Sequence, residues 1–553
     1  MAATGAAWVA ANSGGYWKYR RALADPAAAQ RALLMEYVRL NADTHFGHRH
    51  GFSTIRSVAD YQARVPLASY GDLAGSVGAI AEGRQGVLTR EPVRALALSS
   101  GSAAAAKRIP YTRRLQREFR RAIAPWVVDL YCRHPRAAFG GAYWSITPAL
   151  PHPAGPPGAV PVGFDDDSEY VGGLGKRLVE ATLAVPGAVR FVQDIEAFRY
   201  VTLLYLLRRS DLSLISVWHP SFLTLLLGAL PAHWRALLDD LARGTLTPPG
   251  RLSSTLAARL RCRPSPGRAR DLQRLAPDDY TAIWPRLAVV SCWADSHAAM
   301  SAAEITRLLP GVVLQPKGLL ATEGVVTLPF AGLTPLAVRS HFFEFLHESR
   351  ACLAHELVAG RIYSVVLTTG GGLYRYRLED RVEVNGFVGR TPSLRFLGKE
   401  DHVSDLRGEK LNETFVAGAL AQAWTAAGIA PRYAFIAPDV VSSPPSYVLY
   451  VDTPGSVPAG LGVLVDDLLA ANPHYRYCRA LGQLAPLRVV RVSSMFHRYA
   501  ARCREAGQRL GDIKPLALSP RTGWTEVFTN NPINNSINNP INNPINNQIT
   551  QSR

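Results

Sequence analysis

LSSGSAAAAKRIPYT, from Leu98 to Thr112, sets a run of small residues ahead of a lysine. A turn of this composition leaves backbone N–H groups free to face phosphate oxygens, and the ammonium of Lys107 adds a point charge. That chemistry suits ATP. The spacing is not that of a Walker P-loop, G-x-x-x-x-G-K-[ST], because Lys107 is followed by Arg108 and Ile109. The same residues also read as a Ser-rich turn capping a helix that begins near Ala103, since Ser and Gly are ordinary N-cap residues.

Lysine is scarce elsewhere. Of 61 basic residues only seven are lysine: Lys18, Lys107, Lys176, Lys317, Lys399, Lys410 and Lys514. An ammonium does not replace a guanidinium fork, so lysines retained in an arginine-rich chain point to chemistry. The 553 residues, 48% of them apolar, suffice for a large core and several lobes. The net charge of +18 comes from scattered arginines. Without a clustered stripe it implies attraction of ATP or carboxylates, and no nucleic-acid partner is expected.

Six dispersed cysteines, with no C-x-x-C pair, fit a reducing compartment. The N-terminus lacks a basic segment followed by an apolar one, and the longest apolar runs, such as Phe222 to Leu230, are too short to span a bilayer. A cytoplasmic protein without a membrane partner is expected.

The first hundred residues predict an α/β start, with helical periodicity over Ala27–Leu40 and a strand-like stretch over Gly86–Leu98. Leu115 to Leu260 reads as amphipathic helices broken by the Pro-rich segment His152–Pro161. Between Leu287 and Arg381 short strand candidates (LAVVSCW, VVLQ, VVTLPF, FFEFL, YSVVLTT, LYRYRL) predict a sheet or barrel-like lobe. Helices and strands alternate again from Val403 to Phe528. The N-N-x-I repeats from Asn530 to Ile549 carry three prolines and no charge, a composition that predicts disorder.

Two further clusters carry chemistry. KGLLATEGVVTLPF, from Lys317, puts Thr322 and Glu323 at a turn between apolar runs, where a hydroxyl and a carboxylate can meet a nucleotide and its metal; a plain polar loop is the other reading. GGLYRYRLEDRVEVNGF, from Gly371, alternates as a strand and offers Asp380 beside Arg375 and Arg377, suited either to ribose hydroxyls or to a solvated strand end. His45, His48 and His50, the acidic run Asp165–Asp167 with Glu169, and Trp218, His219 and Phe222 read as surface loop, charged turn and core packing rather than metal sites or an acyl pocket.

The order of these pieces, followed by RFLGKEDHVSDLRGEKLNE and LSPRTGW and preceded by NADTHFGHRHGF and ADYQARVPLASYGDL, resembles the Gretchen Hagen 3 (auxin-responsive) acyl acid amido synthetases, within the adenylate-forming enzymes. The resemblance covers residues 1 to 528. It implies an α/β adenylate-forming fold with a large N-terminal domain (1–397) that includes a β-barrel-like lobe, a small C-terminal α/β domain (398–528) and a tail (529–553). It further implies an ATP-dependent ligase that adenylates a carboxylic acid with ATP and Mg2+, then forms an amide with an amino acid or amine.

By position, the resemblance makes Ser99, Ser100, Gly101, Ser102 and Lys107 the triphosphate cradle. Thr322 and Glu323 lie near the nucleotide, Glu323 holds magnesium and Asp380 binds ribose. Lys410 neutralises charge at the α-phosphate, and a hinge falls near Lys399 and Asp401. Two departures stand out: Ala104 and Glu379 occupy family glycine positions, and both are expected to weaken ATP binding. An acyl-CoA ligase and an acid-binding pseudoenzyme are the alternative functions.

Overall fold

The computed structural model describes residues 2–99, 107–145, 159–162, 183–348, 350–400, 403–407, 409, 411–480, 482–505, 508 and 513–529. They form two compact units: one runs to residue 402 and includes Cys503–Pro515, and the other runs from Val403 to Arg502 and resumes at Leu516. The Asn-rich tail, the acidic run Asp165–Asp167 and Ala104 lie outside the described residues.

The two larger sheets of the first unit carry its fold, beside two short two-stranded pairs. Gly141–Trp144, Leu212–Ser216, Val289–Cys292 and Val313–Pro316 form a parallel sheet in chain order. Its strands are apolar on both faces, as a parallel sheet covered on each side requires. Tyr143, Ile215 and Val290 pack with the helices Ile195–Leu207 and Leu230–Arg243. Ala142, Leu214 and Val289 pack against Leu130 of the long helix Arg113–Arg133. That helix starts at Thr112, whose hydroxyl accepts from the Leu115 N–H and satisfies one of the orphan donors of the first turn.

The second sheet is antiparallel, with strands Arg350–Leu353, Phe342–His347, Ile362–Thr368, Tyr376–Val388 and Thr391–Lys399 side by side in that order. It is open, with Arg350–Leu353 and Thr391–Lys399 as its edges, so the expected barrel-like lobe is a sheet and not a barrel. The candidate strands also divide between the two layers: LAVVSCW and VVLQ supply the last two parallel strands, whereas FFEFL, YSVVLTT and RYRL belong to the antiparallel sheet.

The unit from Val403 has its own core, in which Val416, Leu420 and Trp424 of the helix Glu413–Ala427 meet Ile436 and Leu449 of paired strands. No single helix among the described residues is long and apolar enough to cross a membrane.

Candidate active site

The carboxyl ends of the parallel strands are Trp144, Ser216, Cys292 and Pro316. Open α/β sheets bind ligands at this edge, where the loops leave the strands. Lys317 follows the last strand, and its N–H donates to Cys292 O at 2.7 Å, extending the ladder by one step. Its side chain turns back across the edge, where Nζ donates to Ser216 Oγ at 2.6 Å. The rings of Trp126 and Trp218 lie 4.8 Å from Nζ and that of Trp144 lies 5.7 Å away. Trp126 is held in place by its Nε1–H, which donates to Gln315 Oε1. Burial lowers the Lys317 pKa to about 7, and the neighbouring Cys292 thiol is pushed up to about 12, so that thiol is neutral.

Beyond Lys317 the chain forms a tight hairpin, Leu320–Ala321 pairing with Gly324–Val325 around Thr322 and Glu323. Two glycines permit the approach. A Cβ on Gly318 would sit 2.4 Å from Thr327 Oγ1, and one on Gly324 2.8 Å from His341 Nε2. That Nε2 accepts the Val325 N–H at 3.0 Å, so Nδ1 carries the proton and donates to Glu118 Oε2 at 3.1 Å. Glu118, fully buried on the long helix, also accepts the Gly370 N–H and faces Arg114 at 3.4 Å. The hairpin is thus tied through His341 to a buried ionic network.

Glu323 is 5% exposed and forms no hydrogen bond or ion pair with any described residue. Asp380 lies inside the strand Tyr376–Val388 rather than at its end, and pairs with Lys399 at 3.1 Å. Glu379 occupies a left-handed conformation, φ +63°, which explains why a glycine suits that position. Its carboxylate stands 3.6 Å from Lys107 Nζ. Burial raises the pKa of the Tyr376 hydroxyl, and the carboxylates of Glu323, Glu379 and Asp380 raise it further. The structure therefore gathers Lys107, Glu323, Glu379 and Asp380 around Tyr376, from three separate stretches of chain.

Ser99 and Lys107 are directly paired residues at the end of a hairpin, Ala95–Ser99 against Lys107–Tyr111. Lys107–Tyr111 is a strand and the next described helix begins at Arg113, while Ala103, the expected helix start, lies outside the described residues. Ser100, Gly101, Ser102 and Lys410 lie outside the described residues. Beside Lys410, Glu409 is fully buried and its carboxylate accepts the N–H groups of Leu406 and Arg407. Arg375 is a structural clamp, buried and bidentate on Glu344. Trp218 lines a pocket with Lys317 and Trp126, whereas Phe222 packs against the core and His219 caps the helix Pro220–Gly228. Among the described residues no group of His, Cys, Asp and Glu forms a multi-ligand metal cluster, and His45, His48 and His50 fall on or next to a short helix.

Sequence reasoning missed the tryptophan box around Lys317, the Glu118–His341 link and Lys514. Lys514 belongs to the first unit and sits 4.4 Å over the Trp293 ring, one residue beyond the strand Val289–Cys292. The scarcity of lysine was a signal for Lys317 and Lys514; nothing local marks Glu118.

Comparison with known proteins identifies relatives along most of the chain. Residues 17–312 match the GH3 family N-terminal domain, 334–399 the GH3 family central domain and 416–522 the GH3 family C-terminal domain. A probable indole-3-acetic acid-amido synthetase, GH3.12 of Oryza sativa subsp. japonica, is 25% identical over 462 residues, covering 71% of this chain and 72% of its own. The indole-3-acetic acid-amido synthetase GH3.8 of Oryza sativa subsp. indica is 24% identical over 513 residues, 84% of each chain. Among solved structures, GH3.15 acyl acid amido synthetase has the same fold, with a TM-score of 0.80 at 18% identity over 92% of this chain and 94% of that one. With all three domains matched in order, this chain belongs to the GH3 (Gretchen Hagen 3) family.

Proposed function

We propose that this protein is an acyl acid amido synthetase: it activates a carboxylic acid with ATP and joins the acyl group to the amine of an amino acid or a related amine. The observation that carries this reading is the gathering of Lys107, Glu323 and Asp380 around Tyr376, next to an apolar pocket at the carboxyl edge of the parallel sheet. In the first half-reaction a carboxylate oxygen bonds to the α-phosphorus and pyrophosphate leaves. In the second, the amine nitrogen attacks the acyl carbon, AMP departs with the bridging oxygen, and the nitrogen gives up a proton.

Each residue has a part in this scheme. Lys107 and the small-residue segment with Ser99, Ser100, Gly101 and Ser102 receive the triphosphate. Thr322 lies beside the nucleotide, and Asp380 takes the ribose hydroxyls. Lys410, from the second unit, neutralises charge where two anions meet, a role for which an ammonium is suited. Glu323 fits magnesium, because it is a buried carboxylate with no cation pairing with it among the described residues. Magnesium sites commonly use one or two carboxylates and complete the shell with phosphate and water. Bound there, the ion would offset phosphate charge.

The test is acid-dependent exchange of labelled pyrophosphate into ATP, followed by mass spectrometry of products over a panel of acids and amino acids. Exchange followed by an amide is the expected result. A thioester formed with coenzyme A in place of an amide identifies an acyl-CoA ligase, and absence of exchange with every acid rejects adenylation.

A further inference from the structure

When protonated, Lys317 carries a charge that the described residues do not balance, a cost expressed in its lowered pKa of about 7. The residue is 6% exposed, and among the described residues its ammonium has one hydrogen-bond acceptor, Ser216 Oγ. Three tryptophan rings stabilise the cation electrostatically, yet among the described residues no carboxylate pairs with it. An ammonium has three donors to place, and a buried charge without an anion is costly unless something else supplies one.

A ligand can supply it here. Lys317 forms part of the wall of a pocket lined mainly by apolar groups, Ile123, Trp126, Trp218, Leu320 and Leu328 among them, with Thr327 the one other polar side chain in its lining. Leu320 belongs to the hairpin that carries Thr322 and Glu323, so the pocket lies directly behind the residues assigned to the nucleotide. Apolar walls with one cationic point fit a molecule with an apolar body and a single anionic end.

We propose that Lys317 binds the carboxylate of the acid substrate, anchoring its reactive end at the carboxyl edge of the parallel sheet while the apolar body lies against Ile123, Leu320 and Leu328. The inference rests on the reading of this protein as a carboxylic acid-activating enzyme. Its amine has a pKa of about 7, so an arriving carboxylate holds the proton on it. Lys317 thus selects the ionised acid over neutral isosteres such as amides.

Calorimetric titration of the full chain, without ATP, with benzoate, phenylacetate and hexanoate, each beside its primary amide, tests this. The wild type should bind at least one carboxylate about tenfold or more tightly than its amide, a preference of ~1.4 kcal/mol. Lys317→Met should lose that preference while melting at or above the wild-type temperature, which shows that it folds. Equal affinity for acid and amide in the wild type, a preference retained in Lys317→Met, or no binding of any acid overturns the proposal. If the preference depends on Lys317 while pyrophosphate exchange is absent, the carboxylate site stands and the adenylation reading fails.

Discussion

Lys107 Nζ stands 3.6 Å from Glu379 Oε2, so the lysine after the small-residue segment is paired with an anion from the protein itself. Both side chains are about a quarter exposed, and such a pair is worth ~1 kcal/mol or less. A triphosphate reaching Lys107 has to displace this carboxylate. Glu379→Gln should therefore tighten ATP binding by roughly threefold, the equivalent of that small energy. Glu379→Gly should do the same and also relieve left-handed strain of ~1 kcal/mol, partly offset by the extra freedom of glycine in the unfolded chain. Calorimetry on the two variants separates charge from backbone: tightening only in the glycine variant would assign the effect to strain.

Glu323 is a carboxylate that the fold buries without a hydrogen-bond or ion-pair partner among the described residues, and that is its value to a divalent cation. Glu323→Gln should lower acid-dependent pyrophosphate exchange by about a hundredfold or more, the scale expected when one charge-stabilising group is removed. Its melting temperature should be unchanged or higher, since an unpaired buried charge has been neutralised. An exchange rate equal to wild type across a magnesium titration would take Glu323 out of the site.

The sequence made the helices and the antiparallel strands legible because their periodicity is local: Ala27–Leu40 falls within the helix Pro26–Leu40, and FFEFL within the strand Phe342–His347. Gly141–Trp144 and Leu212–Ser216 escaped notice because short strands buried on both faces have no alternation and merge with flanking apolar helices. Thr322 and Glu323 were placed at a turn correctly, since two apolar runs bracket them. The pairing of Lys107 with Glu379 and of Lys399 with Asp380 was not readable, because each joins residues whose proximity is decided by tertiary packing. Lys317 stood in plain view as a rare lysine, but its three tryptophans come from distant segments, and only the folded sheet edge assembles them.

The hairpin depends on a residue far from it in sequence. Glu118 accepts from His341 and Gly370 and faces Arg114, all out of solvent. Glu118→Gln removes the buried one of two carboxylates that face Arg114, the other being the partly exposed Glu36 at 2.9 Å, and should cost ~2 kcal/mol, the scale for leaving a buried polar group short of a partner. Urea unfolding monitored by tryptophan fluorescence reads this directly. ATP affinity should fall in Glu118→Leu, which also removes the acceptor for the Nδ1–H of the ring that receives the Val325 N–H, whereas glutamine keeps an acceptor there. A loss of stability with ATP affinity intact would mean that the hairpin keeps its place without His341.

Lys317 also predicts how stability varies with pH. Its amine titrates near 7 in the folded protein against an ordinary value of 10.5, and burial is the cause. Between these values the unfolded chain binds one more proton than the folded one, so the stability contributed by this group rises with pH across that window. Below about pH 7 both states are protonated and the full cost of burying the ammonium is felt; above about 10.5 both are neutral and the cost is gone. Cys292, the titratable neighbour that acts on the amine, stays a neutral thiol over most of this range, with its own pKa pushed up to about 12. Lys317→Met should therefore exceed the wild type in unfolding free energy most at pH 6, with the gap closing steadily toward pH 10. Parallel denaturation curves for the two proteins over this range make the comparison, since the other titrating groups are common to both and cancel. A gap independent of pH would show that Lys317 keeps an ordinary pKa in the fold, and with it a counter-ion or water that relieves its burial.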